Sequence, residues 1–199
     1  MIAEPPSRPH LRKRFEERRD DLIDQAAAIF AERGYHDTSM RDLLELTGFT
    51  VGRIYHYFGT KDDLLFMIQE RFARPILAEL EAILASEDRP AEQLRRAIRV
   101  SLEHNMARRA HRQVIRQETP TLVRGLYRQE VRALRQRYRA LILELVERSG
   151  REHGLRLGDP ELSSAAFRGL VDSVLVVDPP LDVDEIATRF CDALLLDTA

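Results

Sequence analysis

Apolar positions recur every three to four residues through most of the chain, which is the spacing of an amphipathic helix. Glycines, prolines and capping residues divide this pattern into about nine helices, and no stretch alternates as a β-strand does. The predicted fold class is therefore all-α. The first helix ends at Gly34, and its apolar stripe consists of Phe15, Leu22, Ala26, Ile29 and Phe30.

The later helices are longer. One of them runs from about residue 61 to residue 83 and contains Pro75, which predicts a kink. The clearest apolar stripe begins at Pro120, continues for about seven turns and ends at Gly150, which predicts a single long helix. The last two helices begin after Asp159 and Asp182. The helix after Asp159 is apolar on more than one face, so a second surface must bury it.

The pattern divides the chain into a small head and a larger body. Residues 1–14 contain three prolines and little apolar periodicity, so we expect a disordered basic leader. Residues 15–61 hold three helices joined by tight glycine turns, and residues 62–199 hold the remaining helices. We therefore expect a three-helix head on 15–61 and a separate helical domain on 62–199.

Composition narrows the class of protein. The 44% apolar and 32% charged residues, with nine glycines and nine prolines, suit a folded helical chain. The single cysteine, Cys191, excludes a disulfide within one chain, and no apolar run resembles a signal peptide or a membrane span. We therefore expect a cytoplasmic protein with no membrane partner.

Charge is informative only locally. The formal net charge of −2 neither supports nor excludes nucleic acid as a partner. The segment 8–19 carries six basic residues against Glu16 and Glu17. This segment is either an arm that reaches phosphates or a solvated tail.

Residues 38–61 have the pattern of a helix-turn-helix, in which the second helix enters the major groove of DNA. Their sequence is TSMRDLLELTGFTVGRIYHYFGTK. Thr38 and Ser39 supply capping hydroxyls for the first short helix, Gly48 ends it, and Thr50 begins the second. The apolar residues that would lock the two helices together are Leu43, Leu46, Phe49, Ile54 and Phe58.

This stretch resembles the DNA-binding head of the TetR family of transcriptional regulators. The matching positions are Thr38, Ser39, Arg41, Asp42, Leu43, Gly48, Gly52, Ile54, Tyr55, His56, Tyr57, Phe58 and Lys61. The resemblance implies a ligand-responsive repressor that acts as a homodimer on a palindromic, double-stranded operator and joins the nucleoid when DNA-bound. It implies neither an enzyme nor a cofactor.

The resemblance also implies roles for single residues. Base edges would be met by Val51, Gly52, Arg53 and Tyr55, and phosphates by Thr38, Ser39, Arg41, His56, Tyr57 and Lys61.

Physical chemistry is consistent with these roles. Arg53 can pair bidentately with guanine, Gly52 permits close backbone approach, and Lys61 adds charge at a helix N-terminus. Val51 replaces a residue that is often polar or basic in the family, so it contacts a thymine methyl group or nothing. Packing within the head is the alternative for Tyr55 and Tyr57, and simple solvent exposure is the alternative for His56.

For the body, the resemblance implies dimerisation through the last two helices and a pocket for a small effector. Small and apolar residues there would let a partner helix approach closely. The candidate dimer residues are Ala166, Gly169, Leu170, Ser173, Phe190 and Leu194. The candidate pocket residues, for which core packing is the alternative, are Met106, Ile115, Tyr127, Tyr138 and Phe167.

The effector class is a weaker inference from the resemblance. The C-terminal half is faintly similar to the branch of the family that senses acyl-coenzyme A or other lipophilic ligands. However, the aromatic residues expected near positions 175–180 are replaced by Leu175-Val176-Val177-Asp178.

Two other classes of protein compete with a regulator. A helical enzyme would need a cluster such as His104 and His111 with Glu103 or Glu118, but these residues lack the spacing of a metal-binding motif, and we expect no metal site. A protein of the same fold that no longer binds DNA would act as an adaptor. Sequence-specific DNA binding separates both classes from a regulator.

Overall fold

The structure is a computed structural model that describes residue 2, residues 5–173 and residues 182–196. No helix in this part of the chain is long and apolar enough to cross a membrane. Two isolated β-bridges join Ile2 to Phe58 and Leu155 to Leu195, and the rest of the regular structure is helical, which confirms the all-α class. The helices are α1 (Pro9–Arg33), α2 (Met40–Thr47), α3 (Val51–Tyr57), α4 (Lys61–Leu84), α5 (Pro90–Ala107), α6 (Arg109–Gln117), α7 (Thr119–Arg124), α8 (Arg128–His153), α9 (Pro160–Ser173) and α10 (Val183–Leu194).

α1 begins six residues earlier than the sequence predicts. Pro9 occupies its first turn, where a missing N–H costs nothing. Ion pairs one turn apart, Arg12 to Glu16 at 3.4 Å and Lys13 to Glu17 at 3.9 Å, support the next turns. The expectation that residues 9–14 are disordered is therefore wrong, because a proline can start a helix as well as occur in a disordered segment.

The predicted long helix over 120–150 is in fact two helices, α7 and α8, which accounts for a tenth helix. α7 ends at Arg124 and is capped by Gly125, whose N–H donates to the Thr121 carbonyl over 2.8 Å. Beyond this turn the Tyr127 ring stacks on Phe66 with 4.2 Å between centroids, and its hydroxyl donates to Asp63 over 2.5 Å. These contacts with α4 hold the turn, and periodicity alone does not encode them.

The chain forms two compact units that differ from the boundaries drawn on the sequence. Unit 1 contains residues up to 72 together with 110–132, and unit 2 contains 73–109 together with residues from 133 onward. Each unit has its own apolar core. Fully buried members of the unit 1 core include Leu22, Phe30, Leu43, Ile54, Phe58, Leu64 and Ile68, and those of the unit 2 core include Leu80, Ile83, Leu94, Ile98, Ile142, Leu145 and Phe167.

The last two helices begin where the sequence predicts. The Asp159 carboxylate accepts from the Leu162 N–H at 2.6 Å, and Asp182 accepts from the Glu185 N–H at 3.0 Å. Each aspartate satisfies a backbone donor that a helix start leaves open. The proline-containing link at 178–180 lies outside the described residues.

Candidate nucleic-acid interface

α2 is a short helix held at both ends. Ser39 and Asp42 form a reciprocal capping box, in which the Asp42 N–H donates to the Ser39 hydroxyl at 3.1 Å and the Ser39 N–H donates to the Asp42 carboxylate at 2.7 Å. Hydrogen bonds to the Asp42 carboxylate from the Ser39 side chain, and next from the Ser39 backbone, lower the pKa of Asp42 below its usual value. Gly48 ends the helix with a φ of 69°, a left-handed conformation that a glycine adopts without strain. The chain therefore turns sharply toward α3.

α3 has a buried face and an exposed face. Ile54 on the helix and Phe58, which caps it, are fully buried in the unit 1 core. Away from this core Val51 is 59% exposed and Tyr55 is 50% exposed, and the space around Gly52 is open. Three of the four residues predicted to read bases are therefore exposed on α3, and their contact with DNA stays a prediction.

The central member of the reading set, Arg53, lies on α3, but its side chain is outside the described part of the structure. Its contact with guanine therefore stays a prediction.

The exposed phosphate candidates lie around α2 and α3. Arg41 on α2 is 85% exposed at its side chain and pairs with Glu45 at 3.1 Å, a surface pair that a phosphate could displace. Ser39 is exposed at the N-terminal end of α2. His56 is exposed, with its ring 5.6 Å from that of Phe15. All three residues can reach a ligand in solvent.

Two candidates for phosphate contact are packed inside the head instead. Thr38 is 1% exposed, and its hydroxyl donates to the Gly34 carbonyl at 2.8 Å. Tyr57 is 4% exposed, and its ring lies edge-on to Phe15 at 4.8 Å. Both expectations are corrected, since a buried side chain that is already partnered stabilises the head rather than binding DNA. For Tyr57 the alternative, packing within the head, describes its position.

The phosphate contact predicted for Lys61 is the third expectation that the structure corrects. Its ammonium donates to the carbonyls of Tyr35 at 2.8 Å and Thr38 at 2.9 Å, and it lies 4.3 Å from the centre of the Tyr35 ring. The Tyr35 hydroxyl donates to Asp62 at 2.5 Å, and burial followed by this hydrogen bond raises the pKa of Tyr35 above its ordinary value. Lys61 therefore ties the α1–α2 turn to the start of α4, and only one of its three N–H groups is left for DNA.

A charged cluster in unit 1 was not found from the sequence. Arg71 on α4 donates twice to Asp24 at 2.7 Å and once to Asp20 at 2.6 Å, which joins α4 to α1. The bonds to Asp24 raise the pKa of Arg71 above its usual value. His111 on α6 lies 3.0 Å from the same Asp24 carboxylate. Arg71 is 47 positions from Asp24 and 51 from Asp20, so no local pattern indicates the cluster.

The five effector candidates are divided between the two units. Ile115 and Tyr127 belong to unit 1, and Phe167 is fully buried in the unit 2 core. Tyr138 packs against that unit 2 core, and Met106 is 40% exposed. Of the five, only Tyr127 borders a small cavity of ≈ 220 Å³ in unit 1, a volume that includes open solvent. The cavity is lined by Asp62, Leu65, Phe66, Thr121, Leu122, Gly125, Leu126 and Tyr127.

The dimer candidates divide by burial. Gly169 is exposed on α9, with open space around it, and Phe190 on α10 is half-buried. Leu194 is 2% exposed and belongs to the unit 2 core, so its side chain is not available to a partner. That one assignment is corrected, because α10 turns Leu194 inward. Ala166, Leu170 and Ser173 are half-buried on α9.

The described residues contain no group of three or more His, Cys, Asp or Glu side chains placed to hold a metal ion. The two histidines of the enzyme hypothesis lie in different units, His104 beside Arg108 in unit 2 and His111 beside Asp24 in unit 1.

Comparison with known proteins gives two family matches. A profile described as "Bacterial regulatory proteins, tetR family" matches residues 22–68. A profile described as "Tetracyclin repressor-like, C-terminal domain" matches residues 87–197, more than half of the chain. The "HTH-type transcriptional repressor KstR2" of Mycobacterium tuberculosis (strain ATCC 25618 / H37Rv) is 34% identical over 86 residues, which are 43% of this chain and 43% of that protein. The aligned part is thus less than half of this curated relative.

Solved structures agree with the fold. The ketosteroid transcriptional regulator KstR2 of Mycobacterium tuberculosis superposes with a TM-score of 0.80 at 20% identity, over 99% of this chain and 100% of that chain. AibR, solved in complex with isovaleryl coenzyme A and operator DNA, superposes with a TM-score of 0.74 at 25% identity, over 89% of this chain and 98% of that chain. With both domain profiles matched and the fold shared, the chain belongs to the TetR family of bacterial regulatory proteins.

Proposed function

We propose that this chain is a sequence-specific DNA-binding transcriptional regulator, a ligand-responsive repressor that acts as a homodimer on a palindromic operator. The observation that carries the proposal is the exposed face of α3. Val51 is more than half exposed and Tyr55 is half exposed, on a helix whose other face is locked into the unit 1 core. This face supports the proposal because α3 is the second helix of the helix-turn-helix, and that helix enters the major groove of DNA.

The roles within the interface follow from exposure. Base edges in the major groove are contacted by Val51, Gly52, Arg53 and Tyr55. Backbone phosphates are contacted by Ser39, Arg41 and His56. Thr38, Tyr57 and Lys61 keep α1, α2 and α4 in place behind this face.

Residues 15–61 bind DNA, and residues 62–199 bind the effector and form the dimer. Two copies would pair through α9 and α10, using Ala166, Gly169, Leu170, Ser173 and Phe190. A two-fold dimer suits a palindrome, because its two recognition helices read equivalent half-sites.

The effector in this proposal is a small lipophilic molecule, and an acyl-coenzyme A is the first to test. AibR, solved with isovaleryl coenzyme A and operator DNA, shares this fold at 25% identity, which supports the choice. The proposal includes no catalytic step, and it places the protein in the cytoplasm, on the nucleoid when DNA-bound.

Selection from a random duplex library tests the proposal, because it requires no operator sequence to be chosen beforehand. The full chain should enrich a palindrome whose half-sites lie one helical turn, or a multiple of one, apart. An adaptor or an enzyme would enrich no sequence.

A matched pair of variants then tests whether the exposed face of α3 reads the DNA sequence. Tyr55→Ala should lower the preference for the selected palindrome over scrambled DNA by at least about fivefold, since a lost base contact costs about 1–3 kcal/mol. Leu126→Ala, which removes a side chain that is 68% exposed on the α7–α8 turn, should leave that preference unchanged. Equal losses in both variants would contradict the role given to α3.

A further inference from the structure

The N-terminal end of α1 lies beside the proposed DNA-reading helix. Phe15 of α1 is 7% exposed, and its ring lies edge-on to Tyr57 at 4.8 Å and to His56 at 5.6 Å, both on α3. From this contact α1 continues back for six residues to Pro9, about 9 Å at 1.5 Å per residue. That length is exposed to solvent on unit 1.

The arginines in and beside this extension share one side of α1. Successive residues of an α-helix are about 100° apart, so each position has an angle measured from Phe15. By this measure Lys13 lies about 160° away, on the opposite side. The arginines lie within about 100° of Phe15, and they are Arg8, Arg12, Arg14, Arg18 and Arg19, which we call the arginine face.

The arginine face carries charge that the protein does not neutralise. Arg12 pairs with Glu16 at 3.4 Å and Arg19 with Asp20 at 3.5 Å. In the described part of the chain no acidic side chain forms an ion pair with Arg14 or Arg18, which are exposed and one turn apart. The first turn of α1 also has no acidic residue to offset the positive end of its dipole.

We propose that the arginine face is a second DNA-binding surface, which contacts backbone phosphates next to those beneath α3. This inference rests on the proposed function, because it takes the same duplex as its partner. Exposed guanidinium groups suit phosphate oxygens, and the extension of about 9 Å spans the rise of two to three base pairs at about 3.4 Å each. The surface supplies affinity and register but reads no bases.

The test compares three variants of the full chain. The double variant Arg14→Gln, Arg18→Gln removes both charges while keeping good helix-forming residues. Arg14→Lys, Arg18→Lys keeps the charges, and Lys13→Gln removes one charge from the opposite side of the same helix. Circular dichroism and thermal unfolding verify that each variant is folded.

Affinity is measured for the selected palindrome and for scrambled DNA between about 50 and 200 mM salt. Loss of two phosphate contacts lowers the slope of log affinity against log salt by about 1.8. The glutamine double variant should therefore bind at least about tenfold more weakly at the lower salt concentration, and the difference should narrow by about tenfold at the higher one. The affinities for the palindrome and for scrambled DNA should fall by the same factor. The lysine double variant and Lys13→Gln should bind both DNAs nearly as tightly as the wild type does.

Three results would overturn the inference. If the glutamine double variant keeps the wild-type slope while the wild type still prefers the palindrome, the arginine face is a solvated surface and the proposed function stands. If Lys13→Gln loses as much affinity for DNA per removed charge as the glutamine double variant, the effect comes from the net charge of unit 1 and not from the arginine face. If the wild type shows no preference for any duplex, the proposed function itself fails, and this inference fails with it.

Discussion

Lys61→Met is the substitution that most sharply separates the structural account of the head from the role implied by resemblance. Methionine keeps the aliphatic stem and removes the ammonium, which donates to two backbone carbonyls at 2.8 and 2.9 Å. Those carbonyls, of Tyr35 and Thr38, belong to the turn between α1 and α2. The substitution should therefore loosen that turn, which positions α2.

The size of the effect follows from the contacts. A hydrogen bond to a charged group contributes about 1.5–3 kcal/mol when it is buried, and for the half-buried Lys61 we take roughly 1–2 kcal/mol for the pair. The cation–π contact with Tyr35 adds about 0.5–1 kcal/mol. Lys61→Met should lower the local stability by roughly 2 kcal/mol, which corresponds to about 30-fold more frequent opening.

Hydrogen exchange measured by mass spectrometry on peptides from 34–47 detects this opening directly. Exchange there should accelerate by about 30-fold in Lys61→Met. Arg41→Ala is the control, because its side chain is 85% exposed on α2 and its removal should change stability by less than about 0.5 kcal/mol.

The opposite pattern would refute the reasoning. If Lys61→Met leaves exchange in 34–47 unchanged and lowers the salt slope of DNA binding by about one, Lys61 is a phosphate anchor as the resemblance implies.

Three further substitutions test other parts of the structure, each by thermal or denaturant unfolding. Gly48→Ala should destabilise unit 1 by about 1–2 kcal/mol, because the φ of 69° is a left-handed conformation, even though no atom lies within 4 Å of the new methyl group. Gly48→Asn should lower the stability by less, since asparagine tolerates the left-handed conformation better than alanine does. Phe167→Ala should cost about 3–5 kcal/mol in the unit 2 core, whereas Met106→Ala, at a 40% exposed site, should change little. The pKa of Tyr35 is raised in the fold, so its contribution is complete below the ordinary tyrosine value of about 10 and falls as pH rises above it. Tyr35→Phe should therefore make the decline in stability above a pH of about 10 shallower.

The helices of the head were predictable because their signals are local. Ser39 and Gly48 bound α2 within a short stretch, and the apolar spacing through Ile54 and Phe58 identifies the buried face of α3. The exposure of Val51 does not follow from this spacing, because Val51 stands three residues before Ile54 and seven before Phe58, positions that share one face of a helix.

The rest depends on partners that are distant in sequence. Nothing near Lys61 indicates that its ammonium binds the Tyr35 carbonyl, 26 positions earlier, instead of a phosphate. The break at Gly125 interrupts an apolar stripe that continues unaltered on both sides, and the tyrosine that fixes the turn bonds to Asp63, 64 positions away. Periodicity reports which face of a helix is buried but not what it is buried against, so long-range polar contacts of this kind require the structure.

The most direct test of the central claim is the ratio of the affinities of the full chain for its selected palindrome and for a scrambled duplex of the same composition, measured at one salt concentration. If the exposed face of α3 reads base edges, the palindrome should bind at least about 10³-fold more tightly at physiological salt. Equal affinity for the two duplexes would contradict the claim, because binding would then be wholly electrostatic and α3 would read no sequence.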